Sequence, residues 1–521
     1  RDFPDIRWNG HWIWVPEQQI EMTFGFGQAA KPRDESHGLF RKTFTLNTVP
    51  ARAPARITAD SRYALYVNGQ EVSRGPARSQ PRRMQYDLLD LAPALKAGEN
   101  TIAAHVKNYG RPNSFYIPPV PNTGLGKSGA LVFEANLGEA GWLVSDDTWK
   151  AVKCDAWSAE DAASADPVSG GVPVEQVDAR KLPVGWQQPG FDDSAWGTAQ
   201  VLRAIHIGGF ARSQPPTDPY GPLYPRPIAQ LGGDVVAPAR IQIEMLQGEV
   251  DDALPGPAAR VLASMALPAG PATTTEQLPV TVNMEAGQSA RLVIDMGRIV
   301  AGKVQLSVSA PAGATFDLCY VEDPITGKEF GFTAPHNGSR YIARGHADDF
   351  ETFDPNGLRR IYALAHGATG PVTINRLAVK EMLYPWTPGA TFECSDPELN
   401  ALYKAGIRTV QLNSHDAFLD CPTREQRAWV GDSVVHQMVH LVTNQDWRLA
   451  WQYLNLGNSP RYDGILPMSV GGEIEASGGI TIPDWSLHWV HGVHNLYRFT
   501  GDREQVKAYM PVVERVLRWY L

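Results

Sequence analysis

The apolar period of this chain changes once, near residue 390, and that change restricts it to a β-then-α architecture. Before it, apolar residues alternate in short runs broken by turn residues. Tyr63, Leu65 and Val67 alternate ahead of Asn68-Gly69, a dipeptide that tolerates the positive φ values of a two-residue hairpin turn. Ile102, Ala104 and Val106 lie on one face of another strand after Gly98-Glu99-Asn100. The strand period returns in Leu292-Val-Ile-Asp-Met-Gly, Val304-Gln-Leu-Ser-Val308 and Phe316-Asp-Leu-Cys-Tyr-Val321, so a second β region covers roughly residues 229–383. Six prolines between 213 and 228 (Pro215, Pro216, Pro219, Pro222, Pro225, Pro227) mark a stiff linker between the two.

Beyond Tyr384-Pro-Trp-Thr-Pro-Gly389 the pattern is helical. Ser395-Asp-Pro-Glu398 reads as a capping box with proline in the first turn. It opens a helix with Leu399, Leu402, Tyr403 and Gly406 on one face. Further helical patterns cover about 425–443, 446–457, 484–499 and 503–521, with Thr500-Gly501-Asp502 as a stop and a new cap. In the last of these, Val506, Tyr509, Met510, Val513, Val516, Leu517 and Tyr520 form an apolar face that runs to the end of the chain. Such a face needs a partner helix.

Length suggests roughly three domains. Apolar residues at 43% and charged residues at 20% are ordinary for a globular chain. A net charge of −9, without any basic stripe, argues against a nucleic-acid partner. No apolar stretch reaches membrane-span length. Cys154, Cys319, Cys394 and Cys421 match neither a metal pattern nor a disulfide framework and leave the compartment open. The start at Arg1 fits a cleaved leader or trimming, with a periplasmic or secreted place preferred over a cytoplasmic one.

The chemistry concentrates in Asp420-Cys-Pro-Thr-Arg-Glu-Gln-Arg-Ala-Trp-Val-Gly-Asp432. Three carboxylates (Asp420, Glu425, Asp432), two arginines (Arg424, Arg427) and Trp429 fall within one loop-to-helix junction. One acid to protonate a leaving oxygen, others to hold hydroxyls, and an indole for a sugar's apolar face are the equipment of glycoside cleavage. A charged helix start is the alternative reading. On a helix, Glu425, Trp429 and Asp432 would share a face. Fifteen tryptophans and seventeen tyrosines suit carbohydrate binding, with aromatic-rich β cores as the other use. Cys421 reads as a small packing residue rather than a nucleophile. His488, His491 and His494 lie three apart without supporting ligands and read as helix histidines. No catalytic metal or cofactor is expected, and a structural calcium stays open.

The same thirteen residues resemble the catalytic-loop motif of the bacterial α-L-rhamnosidases of glycoside hydrolase family 78. Other stretches resemble that family in the expected order. They are Ala59-Asp-Ser-Arg-Tyr-Ala-Leu-Tyr-Val-Asn-Gly69, Gly98-Glu-Asn-Thr-Ile-Ala103, Pro225-Arg-Pro-Ile228, Ile294-Asp-Met-Gly-Arg-Ile-Val-Ala-Gly302, Arg461-Tyr-Asp-Gly464 and Ile482-Pro-Asp-Trp-Ser-Leu487. Asp146-Asp-Thr-Trp149 and Phe191-Asp-Asp-Ser-Ala-Trp196 resemble the jelly roll that precedes the family's barrel. The resemblance implies a carbohydrate-binding-like β-sandwich at 1–212, with scaffolding favoured over sugar binding. After the linker at 213–228 come a second β-sandwich domain at 229–390 and the first part of an (α/α)6 barrel at 391–521, incomplete in this chain.

It further implies an inverting exo-α-L-rhamnosidase acting on terminal rhamnose of plant glycosides or oligosaccharides, with Glu425 as general acid. Neighbouring carboxylates would favour a proton on that acid, and Arg424 would oppose it unless its guanidinium pointed elsewhere. Asp420, Arg424 and Asp432 are the expected hydroxyl-binding groups, and Trp429 and Trp485 the aromatic walls. The general base is expected downstream of Leu521, in the remaining part of the same polypeptide, while Glu473 and Glu475 read as solvated loop acids. A non-catalytic carbohydrate-binding protein and another (α/α)6 glycosidase are the alternative readings.

Overall fold

The computed structural model describes residues 8–16, 35–80, 83–117, 129–160, 174–202, 222–322, 337–472 and 481–521. The expected loop acids Glu473 and Glu475, and linker residues Pro215, Pro216 and Pro219, lie outside the described residues. The chain divides into two compact units: Arg1–Ser158 with Leu182–Pro227, and Ala159–Lys181 with Ile228–Leu521.

The first unit is a β-sandwich. One sheet runs, in spatial order, Gln200–Val201, Ile13–Trp14, Ala130–Asn136, Pro54–Asp60, Gln85–Asp90, Tyr224–Pro225. The other runs Gly197–Thr198, Lys150–Lys153, Ser36–Leu46, Gly98–Asn108, Arg62–Val67, Gln70–Gly75. The hairpin forms where the sequence puts it, with Val67 opposite Gln70 across Asn68 and Gly69, whose φ values are 52° and 83°. The period-2 residues Ile57, Leu65, Ile102, Val106 and Phe133 meet Trp12, Trp14 and Trp149 in one buried core. Trp149 and Trp196, the indoles of the two jelly-roll-like stretches, are both buried.

In the second unit, one strand of 23 residues, Gln288–Ala310, organises the β region. Its first half pairs with Arg240–Gln247 and Asn356–His366, and its second with His346–Glu351 and Gly370–Glu381. The register shifts between Asp295 and Val300, where Gly297 takes a φ of 76°. A bulge with a left-handed glycine lets one strand bend and serve two sets of partners. Thr315–Val321 and Gly338–Ile342 extend this sheet, and Val174–Asp178 joins it parallel to the latter. A short helix α1 (Gly256–Ser264) packs on this part of the unit.

The helical region contains α2 (Pro397–Leu412), α3 (Val430–Thr443), α4 (Arg448–Gly457), α5 (Pro483–Thr500), α6 (Arg503–Lys507) and α7 (Met510–Trp519). Three expected boundaries shift. Asp396, not Ser395, caps α2, its carboxylate accepting from the Glu398 and Leu399 amides. Proline then occupies the first helical position, where no amide is needed. Helix α3 starts at Val430 rather than 425, leaving the acidic motif in the loop. The expected 503–521 helix divides before α7, whose first turn holds Pro511, a residue with no amide for the preceding turn. Gly501 (φ 67°) ends α5 and Asp502 caps α6, as the sequence indicates. Among the described residues no helix is long and apolar enough to cross a membrane.

The apolar stripes of these helices are only partly covered. Leu402 and Val435 are 67% and 61% exposed, and Leu399, Met438, Val442, Met510 and Leu517 are exposed as well. Val513 and Val516 of the last stripe are buried.

Candidate active site

Between α2 and α3 the chain forms a loop pinned at its base. The Asp420 amide donates to the Arg427 carbonyl at 3.0 Å, and the Arg427 amide returns to Asp420 Oδ1 at 2.9 Å. Inside it, Glu425 lies in a turn and Gln426 adopts φ 53°. That left-handed conformation costs a side-chain-bearing residue about 1–2 kcal/mol and persists only where the surroundings hold it. The turn directs the Glu425 carboxyl back at Trp429, whose Nε1 donates to Oε2 at 2.7 Å.

Glu425, Trp429 and Asp432 therefore do not share a helical face. Only Asp432 stands within α3, in its first turn, while Trp429 is the residue before the helix. Glu425 and Trp429 meet because the loop folds back. The second expectation to change concerns Arg424, which does not point elsewhere. Its Nη2 lies 2.6 Å from Glu425 Oε1, with the arginine side chain 49% exposed and the acid nearly buried.

Charge gathers around this pair. Burial pushes the Asp420 carboxyl up to about 6, with the nearby Glu425 charge adding to it, while hydrogen bonds from Cys421 and the Arg427 amide pull the other way. Burial, then the Glu425 charge, also raises Asp432. Cys421 connects the two halves of the loop. Its thiol donates to Asp420 Oδ2 at 3.0 Å, and its sulfur accepts the Glu425 amide at 3.3 Å. Burial beside Asp420 pushes that thiol up to about 12, so no thiolate is available near neutral pH.

Trp429 is 9% exposed. The Arg427 guanidinium lies over its ring at 5.6 Å, and Trp485, from the first turn of α5, meets it edge to face at 5.6 Å. Trp485 is the more accessible indole, and it fits because residue 431 is glycine: a Cβ there would come within 2.5 Å of its ring. Antiparallel pairing of Trp429 with Ser469, through Val430 N–H to Met468 and Val470 N–H to Ala428, ties the loop to the stretch before α5.

The site thus brings Arg424, Glu425, Trp429 and Trp485 into a contact chain, with the Glu425 charge reaching Asp420 and Asp432. Chemically, a carboxyl held by an indole N–H and flanked by two reluctant carboxylates can pass a proton to a bound oxygen or take one from it. Cys421, Arg427 and Gly431 were given no such part by sequence reasoning. A glycine in the first turn of a helix was the one available hint of a close approach. His491 and His494 stack on each other at the surface of α5. Among the described residues, no three His, Cys, Asp or Glu side chains converge on a metal position.

Two family models match the chain. The bacterial α-L-rhamnosidase 6 hairpin glycosidase domain covers residues 388–521. The α-L-rhamnosidase N-terminal domain covers residues 48–218. An α-L-rhamnosidase of Streptomyces avermitilis is 24% identical over 550 residues, spanning 99% of this chain and 44% of that protein. One from Formosa agariphila is 22% identical over 515 residues, spanning 92% and 47%. The chain therefore spans less than half the length of these curated relatives. In fold it is similar to the GH78 family rhamnosidase of Bacillus sp. GL1 (TM-score 0.76, 21% identity, 99% of this chain and 69% of that one). It is also similar to the S. avermitilis α-L-rhamnosidase complexed with L-rhamnose (TM-score 0.63, 22% identity, 93% and 42%).

Proposed function

Because the chain belongs to the bacterial α-L-rhamnosidase family, we propose that the whole protein is an inverting exo-α-L-rhamnosidase, with Glu425 as its general acid. The observation that carries this reading is the Glu425 carboxyl, held by Trp429 Nε1 at 2.7 Å between the raised carboxyls of Asp420 and Asp432. Terminal rhamnose on plant glycosides or oligosaccharides is the proposed substrate. Its 6-methyl group suits the aromatic side of the site, and its vicinal hydroxyls suit Asp420 and Asp432 as paired acceptors.

In this mechanism Glu425 protonates the glycosidic oxygen as the bond to the anomeric carbon breaks. Water attacks from the opposite face, activated by a second carboxylate about 6.5–9.5 Å from the first. That base is proposed to lie in the part of the polypeptide downstream of Leu521, together with helices that cover the exposed stripes of α2 and α3. Arg424 must leave Glu425 for the proton to reside there. Its guanidinium is the half-exposed partner of the pair, so it can swing towards solvent or towards the hydroxyls of a bound sugar while Glu425 stays in place.

Hydrolysis of an aryl α-L-rhamnoside by the full-length protein, followed by proton NMR, tests the reading. Free β-rhamnose as the first-formed sugar is expected. An initial α-anomer would replace the inverting mechanism with a retaining one, and binding without release would leave a carbohydrate-binding protein.

A further inference from the structure

The loop that carries Glu425 is fastened from outside the helical region, by residues about seventy to a hundred positions earlier in the chain. Thr423, two residues before the acid and buried, is held through its carbonyl and its hydroxyl. Its carbonyl accepts from Asn337 Nδ2 at 2.7 Å, and its hydroxyl donates to Glu322 Oε1. Glu322 directly follows the strand Thr315–Val321, and Asn337 directly precedes Gly338–Ile342, a paired neighbour in the same sheet. A third fastening comes from the start of Asn356–His366. Gln426 Nε2, one residue after the acid, donates to the Pro355 carbonyl at 3.3 Å as well as to Pro422 at 2.8 Å. Gly357 in that strand lies so close that a Cβ would stand 2.4 Å from the Pro422 carbonyl oxygen.

These contacts bracket the acid on both sides. The turn has no helical ladder of its own, and residue 426 is held in a left-handed conformation. Without outside partners such a turn relaxes, and the carboxyl at its tip moves with it. We propose that Asn337, Glu322 and Gly357 of the β region are positioning residues for the Glu425 carboxyl, acting through Thr423, Gln426 and Pro422. The proposal rests on the reading of Glu425 as the acid.

A displaced acid hurts most where the leaving group needs its proton. The test therefore compares kcat on two aryl α-L-rhamnosides, one with a poor phenol leaving group and one with an activated dinitrophenol, for Asn337→Ala, Gly357→Ala, Glu322→Ala and Glu322→Gln in the full-length protein. A misplacement on the order of 1 Å can cost roughly a hundredfold, so a loss of tenfold or more on the poor leaving group is expected. The activated substrate should lose little, and KM should stay within about twofold. Glu322→Gln keeps an acceptor for the Thr423 hydroxyl and should restore the wild-type ratio between the two substrates, while the selectivity for the poor leaving group in Glu322→Ala is the part that packing alone would not produce.

Glu425→Gln serves as reference. If it shows the leaving-group selectivity while Asn337→Ala and Glu322→Ala lose equally on both substrates, the positioning role is overturned and the acid stands. If Glu425→Gln lacks the selectivity too, the acid assignment falls and the positioning role with it.

Discussion

The N-terminal sandwich and the helical region bury their apolar residues to very different degrees. In the sandwich the inward residues of two sheets cover each other, and Ile57, Leu65, Ile102 and Phe133 have no exposed surface. The helices also carry apolar stripes, yet Leu402, Val435 and Leu517 remain exposed. A pair of sheets closes within its own strands, whereas a helical hairpin leaves a face open until another layer packs on it. Since the chain spans 44% and 47% of its curated relatives, the partners of α2, α3 and α7 are proposed to lie in the remainder of the protein.

The sharpest way to break this contrast is to express residues 391–521 alone. With stripes exposed at Leu402, Val435 and Leu517, the fragment should bind a hydrophobic dye and melt without a cooperative transition. A sharp melt would show that the helices need no partner. Next in size, Trp14→Ala in the full-length protein removes a side chain that is 1% exposed. It should cost about 3–5 kcal/mol by denaturant titration. Gly431→Ala comes third. Its methyl would meet the Trp485 ring, so a destabilisation of about 1–3 kcal/mol is expected, with a changed tryptophan fluorescence.

Asp420 gives a smaller and pH-dependent effect. Its carboxyl is raised to about 6, chiefly by burial, so the folded state holds the proton more tightly than the unfolded chain, where it leaves near 3.9. Stability from this group is complete below about pH 4 and is lost as pH rises towards 6. Asp420→Asn should flatten that part of the melting-temperature profile, and an unchanged slope would assign it to other groups. Smallest of all, Val435→Ser in the 391–521 fragment should raise its solubility and weaken its dye binding slightly.

Much of the fold was legible because period and punctuation are local signals. Asn68-Gly69 announced its hairpin, Thr500-Gly501-Asp502 its helix break, and the change near 390 the passage from sheet to helix. Boundaries were less legible. Helix α3 was drawn five residues too early because Glu425, Trp429 and Asp432 fit a helical spacing that the chain reaches by folding a loop back instead. The residues of the candidate site stood out as a cluster of acids beside indoles. Their supports did not, since Asn337 and Glu322 are ordinary polar residues whose meaning comes from contacts across eighty-six and a hundred and one positions. The lack of a side chain at Gly431 likewise acquires a role only once Trp485 is seen against it.

The most direct test of the account is kcat of Glu425→Gln in the full-length protein on a rhamnoside with a poor leaving group. Glutamine keeps the acceptor for Trp429 Nε1 but has no proton to transfer. A loss of about 10²–10⁴-fold is predicted, with rate returning on an activated leaving group. Full activity on the poor leaving group would contradict the assignment of Glu425 and the mechanism built on it.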